Sequence, residues 1–358
     1  MSVFTGLDSR RICVIKPSAL GDVVQALPVL GPLHERFPSA SISWVINRGL
    51  AGLIDSHKQI DEVIVFDRRG GLRSLWDLSA TLRSKRFDLV LDLQGLFRTG
   101  LMTRVTGAPV RIGLQTAREG AHRACTATLE GTGRDVPARL RYWRIVDELF
   151  RDRTRVAAAD SEIVPIAPAD RAFAATRLKA LPRPLLAVCP GARWKTKRWP
   201  TVKFAALAAR AHREFAAAAV ILGSPDELQL CAETEKHLRE LMPSAAILNL
   251  AGATTLRQLA AVLEACSWAA TNDSGPMHLA DAVGTPVLGL FTCTSPWLSG
   301  PPLDRHELLS TRMSCAAGYH KSCPLSGVQH QACLAELDVD RAWAGLVRLA
   351  VKTRRAAA

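Results

Sequence analysis

A chain of 358 residues is longer than one hydrophobic core comfortably serves, so two domains of roughly 150 residues each are expected. Apolar residues make up 48% against 22% charged, which excludes long disorder, and no apolar run approaches the ~20 residues that span a bilayer. Lys and Arg total 46 against 33 Asp and Glu, a net charge of +13 that attracts polyanions; aromatics at 6%, not interleaved with the basic residues, argue against nucleic acid and leave an anionic membrane or a phosphorylated substrate.

The N-terminal MSVFTGLDSRR lacks the apolar core of a secretion signal, which predicts a cytoplasmic protein whose nine cysteines are reduced thiols. Strands are then expected at Ile12 to Ile15, Ile42 to Val45, Val63 to Phe66, Leu89 to Leu93 and Val110 to Ile112, with helical stretches between several of them. A basic, Arg-rich stretch from Arg111 to Arg155 follows, with apolar residues Leu140, Trp143, Val146 and Leu149 at helical spacing. Prolines 165, 168, 182 and 184 flank one Ala-rich helical piece and mark a domain junction near Pro182, giving domains 1–182 and 183–358.

The second half repeats the pattern, with strands at Leu185 to Cys189, Ala218 to Leu222, Ala246 to Leu250, Trp268 to Thr271 and Val287 to Phe291. Periodicity fades after Pro302, until a last amphipathic helix from Val339 to Val351 and the basic tail Lys352, Arg354, Arg355. Strand and helix alternating twice over predicts α/β architecture: two doubly wound parallel sheets with a cleft between the domains.

Chemistry-bearing residues gather after strands. Lys16-Pro-Ser-Ala-Leu-Gly-Asp22 lies between a strand and a helix, where doubly wound folds bind ligands. Asp22 there is either a helix N-cap or a base for a hydroxyl, and position alone does not choose. The turn has one glycine followed by an acid, so it is not a dinucleotide fingerprint and would repel a diphosphate. Asp92-Leu-Gln-Gly-Leu-Phe-Arg98 ends another strand; Arg98 either takes an acceptor phosphate or is merely exposed.

In the second half, Gly191 opens a loop carrying Arg193, Lys195, Lys197 and Arg198, bounded by Trp199-Pro200. A charge run is usually a solvated face, but this one is rigidly framed at a strand end, which favours a phosphate site. After the strand at 218–222, Asp226 and Glu227 either hold ribose hydroxyls or simply suit a helix first turn.

Asn272-Asp-Ser-Gly-Pro-Met-His278 opens a helix after a strand, so Ser274, Gly275 and Met277 offer a diphosphate the free N–H groups of a helix start. A lone His278 on an apolar helix face is commonly a satisfied core residue; its company of anion donors favours a ligand role. Cys315, Cys323 and Cys333, with His320 and His330 among them, include zinc-ligand types, but their spacing matches no tight knuckle and reads as structural thiols.

Lys16-Pro-Ser-Ala-Leu-Gly-Asp-Val-Val-Gln-Ala-Leu-Pro28, Asp92-Leu-Gln-Gly95, Cys-Pro-Gly-Ala192 with Lys-Arg-Trp-Pro200, Asn-Leu-Ala-Gly252 and Thr-Asn-Asp-Ser-Gly-Pro-Met-His278 together resemble the ADP-heptose lipopolysaccharide heptosyltransferases, glycosyltransferase family nine, and most of all its heptosyltransferase II group. The resemblance implies a GT-B fold of two Rossmann-like domains, the N-terminal one binding acceptor and the C-terminal one nucleotide sugar. It implies inverting, metal-independent transfer of heptose from ADP-L-glycero-D-manno-heptose to a heptosyl-Kdo-lipid A type acceptor, with no cofactor beyond that donor.

On the matching positions, Asp22 is implied as general base and Lys197 as the phosphate contact. Gly191, Arg193, Glu227, Asp273, Ser274, Gly275, Met277 and His278 are then the donor-side candidates, with Glu227 on the ribose, and Ser18, Gln94 and Arg98 the acceptor-side ones. The expected partners are a nucleotide sugar, an acidic phosphorylated glycolipid and the anionic inner face of the cytoplasmic membrane, bound peripherally. Two alternatives stand beside this: a GT-B enzyme using another nucleotide sugar, and a noncatalytic polyanion-binding protein. The extra cysteines and the Arg-rich helical segment depart from the family pattern and bear on the acceptor.

Overall fold

The computed structural model describes residues 2–151 and 162–357; Arg153 and Arg155 of the Arg-rich stretch, and residues 156–161 at the start of the junction segment, lie outside the described residues. The chain divides into two compact units, Met1–Pro165 and Ile166–Ala358.

The first unit holds a six-stranded parallel sheet of β1 Arg11–Ile15, β2 Ser41–Asn47, β3 Glu62–Phe66, β4 Leu89–Asp92, β5 Val110–Leu114 and β6 Ala127–Leu129, in the order β3-β2-β1-β4-β5-β6. The second holds β7 Leu185–Cys189, β8 Ala218–Ile221, β9 Ile247–Asn249, β10 Trp268–Asn272, β11 Val287–Phe291 and β12 Glu307–Ser310, in the order β12-β11-β10-β7-β8-β9. Counted from its own first strand, each sheet has the same order. Both are doubly wound, which gives the chain the two Rossmann-like units that the resemblance implies.

Central strands β1 and β7 read as unbroken apolar runs because helices cover both faces of the sheet. Ile12 to Ile15 and all of Leu185–Cys189 are buried, each such large side chain contributing about 1.5–3 kcal/mol. The expected strands form, with ends shifted by a residue or two. Two were not expected, β6 and β12, and both are outermost sixth strands, short and beside basic or polar sequence.

The junction falls upstream of Pro182. Helix Pro168–Leu178 packs on helix Leu256–Glu264 of the second unit, where Arg171 forks onto Glu264 at 2.8 and 2.9 Å and Arg257 meets Asp170 at 3.3 Å. The prolines mark where the chain turns but not which unit the helix joins.

In helix Ala138–Leu149 the buried stripe is Tyr142, Ile145, Val146 and Leu149, while Leu140 and Trp143 are exposed. The apolar residues at 140 and 143 therefore sit off the core face. The last helix, Val339–Ala357, is longer than expected, and Arg348 and Lys352 fasten it to Glu307 of β12 at 3.0 and 2.7 Å.

Candidate active site

In each unit the strand order reverses between two central neighbours, β1 and β4 in the first, β7 and β10 in the second. Crossovers leave such a pair on opposite sides, which opens a crevice at their carboxyl ends. The sequence candidates fall on the loops after these four strands and after β8.

After β1, Asp22 is the third residue of helix Leu20–Ala26 rather than its N-cap. Its Oδ2 accepts the Ala19 N–H at 3.3 Å and its Oδ1 accepts the Tyr142 hydroxyl at 3.4 Å, leaving a half-buried carboxylate anchored on two sides. Lys16 closes the strand with only 3% of its surface exposed, and its Nζ lies 5.3 Å from the centre of the Tyr142 ring. Burial alone would weaken its hold on a proton, but Asp22, Tyr142 and Asp92 prevail and keep the ammonium above its ordinary range.

After β4, Asp92 is buried and its Oδ1 accepts the N–H groups of Gln94 and Gly95 at 3.0 and 2.9 Å. Burial pushes this carboxyl above its usual range, against those donors, Thr99 and the Lys16 charge. Gly95 is required here: it has φ of +65°, and a Cβ would stand 2.8 Å from Cα of Ala117. Gln94 Oε1 accepts the Ser18 N–H at 3.4 Å, joining the two loops. Arg98 is exposed, its guanidinium 5.5 Å from the Phe66 ring centre. The first unit thus sets Asp22, Tyr142 and Asp92 about a buried lysine, with Ser18 and Gln94 joining the two loops and Arg98 exposed.

In the second unit Lys197 meets Asp273 at 2.6 Å, Nζ to Oδ2, and the same Nζ lies 4.9 Å from the Trp194 ring centre. Among the described residues the contact with Asp273 uses one of the three ammonium protons and leaves two to donate to a ligand. Asn272, fully buried, clamps the loop after β7: its Oδ1 accepts the Trp199 N–H at 2.9 Å and its Nδ2 donates to the Pro190 carbonyl at 2.8 Å. Arg193 and Lys195 are exposed, whereas Arg198 is turned onto the Ala192 carbonyl at 2.7 Å.

The loop after β8 presses on this one. Glu227 Oε2 accepts the Ser224 amide at 2.9 Å and its hydroxyl at 3.0 Å, and a Cβ on Gly191 would come within 2.1 Å of the Glu227 carboxylate. Only glycine fits at 191 while Glu227 holds that place.

Ser274 is the N-cap of helix Gly275–Ala282, yet its side chain caps nothing, and its buried Oγ has no partner among the described residues. Pro276 has no N–H, and the Met277 amide donates to the Ser274 carbonyl at 3.2 Å. An anion's donors here are therefore the Ser274 hydroxyl and the amides of Ser274 and Gly275, at the positive end of the helix. The Met277 side chain is buried beneath Gly289 and packs the loop from below, and His278 is buried one residue further on.

Sequence reasoning missed Lys16 and Tyr142 as site residues. Lys16 left a signal, a lone cation ending an apolar strand; Tyr142 left a fainter one, the single hydroxyl in the buried stripe of its helix. Cys315, Cys323 and Cys333 line a small cavity with Cys293, Thr196 and His320, and Thr196 donates to the His320 carbonyl at 2.7 Å, tying that segment to the Lys197 loop. Among the described residues no three His, Cys, Asp or Glu side chains converge as metal ligands.

The family profile of glycosyltransferase family 9 (heptosyltransferase) fits residues 75–329. The chain is similar to the lipopolysaccharide core heptosyltransferase OpsX of Haemophilus influenzae, 27% identical over 299 residues and 82% of each chain. It is likewise similar to lipopolysaccharide heptosyltransferase 2 of Escherichia coli, 27% identical over 325 residues, 87% of this chain and 90% of that one. A solved glycosyltransferase of family 9 from Veillonella parvula superposes with a TM-score of 0.79 at 24% identity, covering 97% of this chain and 98% of its own.

Proposed function

The chain belongs to glycosyltransferase family 9, the heptosyltransferases, and is a glycosyltransferase; from that premise we propose that it transfers heptose from ADP-L-glycero-D-manno-heptose onto the inner core of lipopolysaccharide. The observation that carries this reading is the division of chemistry between the two switch points. One presents an anchored carboxylate, Asp22; the other presents a lysine, Lys197, and a helix-start hydroxyl, Ser274, with no partner among the described residues.

Asp22 takes the proton of an acceptor hydroxyl, as a base within ~3 Å can. The oxygen then bonds to the anomeric carbon from the face opposite the diphosphate, the carbon–oxygen bond to the diphosphate breaks, and ADP leaves with the electron pair. Configuration inverts in this single displacement. Charge growing on the leaving group meets Lys197, the Ser274 hydroxyl and the helix start, so no metal ion enters the reading. Glu227, held over Gly191, takes the ribose hydroxyls; Arg193 and His278 flank the donor.

Ser18, Gln94 and Arg98 hold the acceptor, an acidic phosphorylated glycolipid of the heptosyl-Kdo-lipid A type. The first unit is thus the acceptor domain and the second the donor domain. No described helix is long and apolar enough to cross a membrane; we place the enzyme on the anionic inner face of the cytoplasmic membrane, held by its net charge of +13. Nucleotide release tests the reading: ADP should appear from ADP-heptose only when acceptor is present. Consumption of a UDP- or GDP-sugar alone would keep glycosyl transfer and change the donor, and turnover without acceptor would point to hydrolysis or epimerisation.

A further inference from the structure

Two neighbouring helices of the first unit, Gly71–Ser84 and Phe97–Val105, carry large apolar side chains on the side away from their core. Trp76 is 78% exposed, Phe97 58% and Leu101 50%. Scattered exposed apolar residues mean little, but these are gathered. The helices share one core, in which Leu78 and Leu82 of the first pack with Met102 of the second and Phe66 of β3, so their outward sides look the same way. Phe97, Leu101 and Arg104 fall on one side of their helix at i, i+4 and i+7.

The same face is basic. Arg68, Arg69, Arg73, Arg98 and Arg104 are exposed there, and Asp67 beside them is already held by Arg48 at 3.0 Å. The acids nearby are Asp77, exposed, Glu62, which is paired with Lys85 at 2.5 Å, and Glu119, which accepts the Phe97 N–H at 3.1 Å. Tryptophan and phenylalanine framed by arginines match the boundary of an anionic bilayer, where the rings enter the headgroup layer and the guanidinium groups meet lipid phosphates.

We propose that this face, Trp76, Phe97 and Leu101 with their surrounding arginines, is where the protein lies on an anionic lipid surface. The inference rests on the reading of the acceptor as a glycolipid and adds how it is approached. Helix Phe97–Val105 springs from the Gly95 turn, at the carboxyl end of β4 beside the loop of Asp22, so a bilayer on this face lies next to the acceptor-side residues of the same unit.

The test uses the full-length protein, vesicles rich in phosphatidylglycerol or made only of phosphatidylcholine, and two double variants, Trp76→Ser with Leu101→Ser and Arg69→Glu with Arg73→Glu. Wild type should sediment with the phosphatidylglycerol vesicles and not with phosphatidylcholine. Each double variant should lower that partitioning by ~10-fold or more, melt like wild type, and still transfer to an acyl-free acceptor at the wild-type rate. Unchanged partitioning in both variants overturns the proposal. So does concentration-dependent self-association of wild type that Trp76→Ser with Leu101→Ser abolishes, since the face would then pair copies of the chain. If vesicle binding follows the variants as described but wild type transfers to no acceptor, the docking face stands and the acceptor reading falls.

Discussion

The two units share a strand order, yet their switch points are furnished in opposite ways. In the first, carboxylates Asp22 and Asp92 sit about one buried cation, Lys16, with a hydroxyl and backbone N–H groups as fixed donors. In the second, a cation lies at the mouth, steadied by Asp273, above a helix start whose serine hydroxyl has no partner among the described residues. The backbone supplies a crevice in both cases, and the loop residues give the first a carboxylate suited to taking a proton and the second a cation and a helix start suited to a phosphate.

If that contrast is right, substitutions in the two crevices should produce different kinetic faults. The largest effect is expected for Asp22→Asn, which keeps the contact to Ala19 but removes the base. Turnover should fall by ~10²–10⁴-fold with donor affinity unchanged, read from steady-state rates and nucleotide titration. Next comes Lys197→Met, which should cost ~10²–10³-fold in kcat through lost stabilisation of the leaving group. Equal loss in donor affinity and turnover for both variants would erase the distinction between the crevices.

A smaller effect sharpens the first crevice. Lys16 is kept charged by its acidic neighbours, Asp22 first among them, so Lys16→Met removes a cation that favours the charged form of Asp22 and should move the acidic limb of the pH–rate profile upward. An unmoved limb would reduce Lys16 to packing. In the second crevice, Gly191→Ala forces the Glu227 carboxylate aside and should weaken donor binding about tenfold, as losing a charge-assisted hydrogen bond does, while sparing kcat.

The smallest effect concerns stability. His57, buried in the first unit, has its proton affinity lowered chiefly by burial and also by His34, against Ile163 and Glu162. The folded state therefore holds it neutral, and the unfolded chain binds more protons below about pH 6.5. Its contribution is present above that pH and is lost as pH falls, so thermal melting should show a decline that His57→Gln flattens.

Much of this was legible in sequence because central strands buried on both faces leave unbroken apolar runs, and because loops after them carry odd residues such as Asp22, Lys197 and Ser274. The missed strands, Ala127–Leu129 and Glu307–Ser310, are three and four residues long at sheet edges, where only one neighbour constrains the pattern. Tyr142 was hidden for another reason: it reaches Asp22 across 120 positions of chain, a contact set by helix packing and not by local spacing. Helix Pro168–Leu178 likewise shows its boundaries in its prolines, while its allegiance to the second unit lies in Arg171 and Glu264, far apart in the chain.

The most direct test is the mass of the product. Wild type and Asp22→Asn would be incubated with ADP-heptose and a heptosylated Kdo-lipid A acceptor, with and without a chelator. A gain of one heptose that persists in chelator and vanishes in Asp22→Asn is expected. A gain that the chelator abolishes, or that Asp22→Asn retains, would contradict the proposed function.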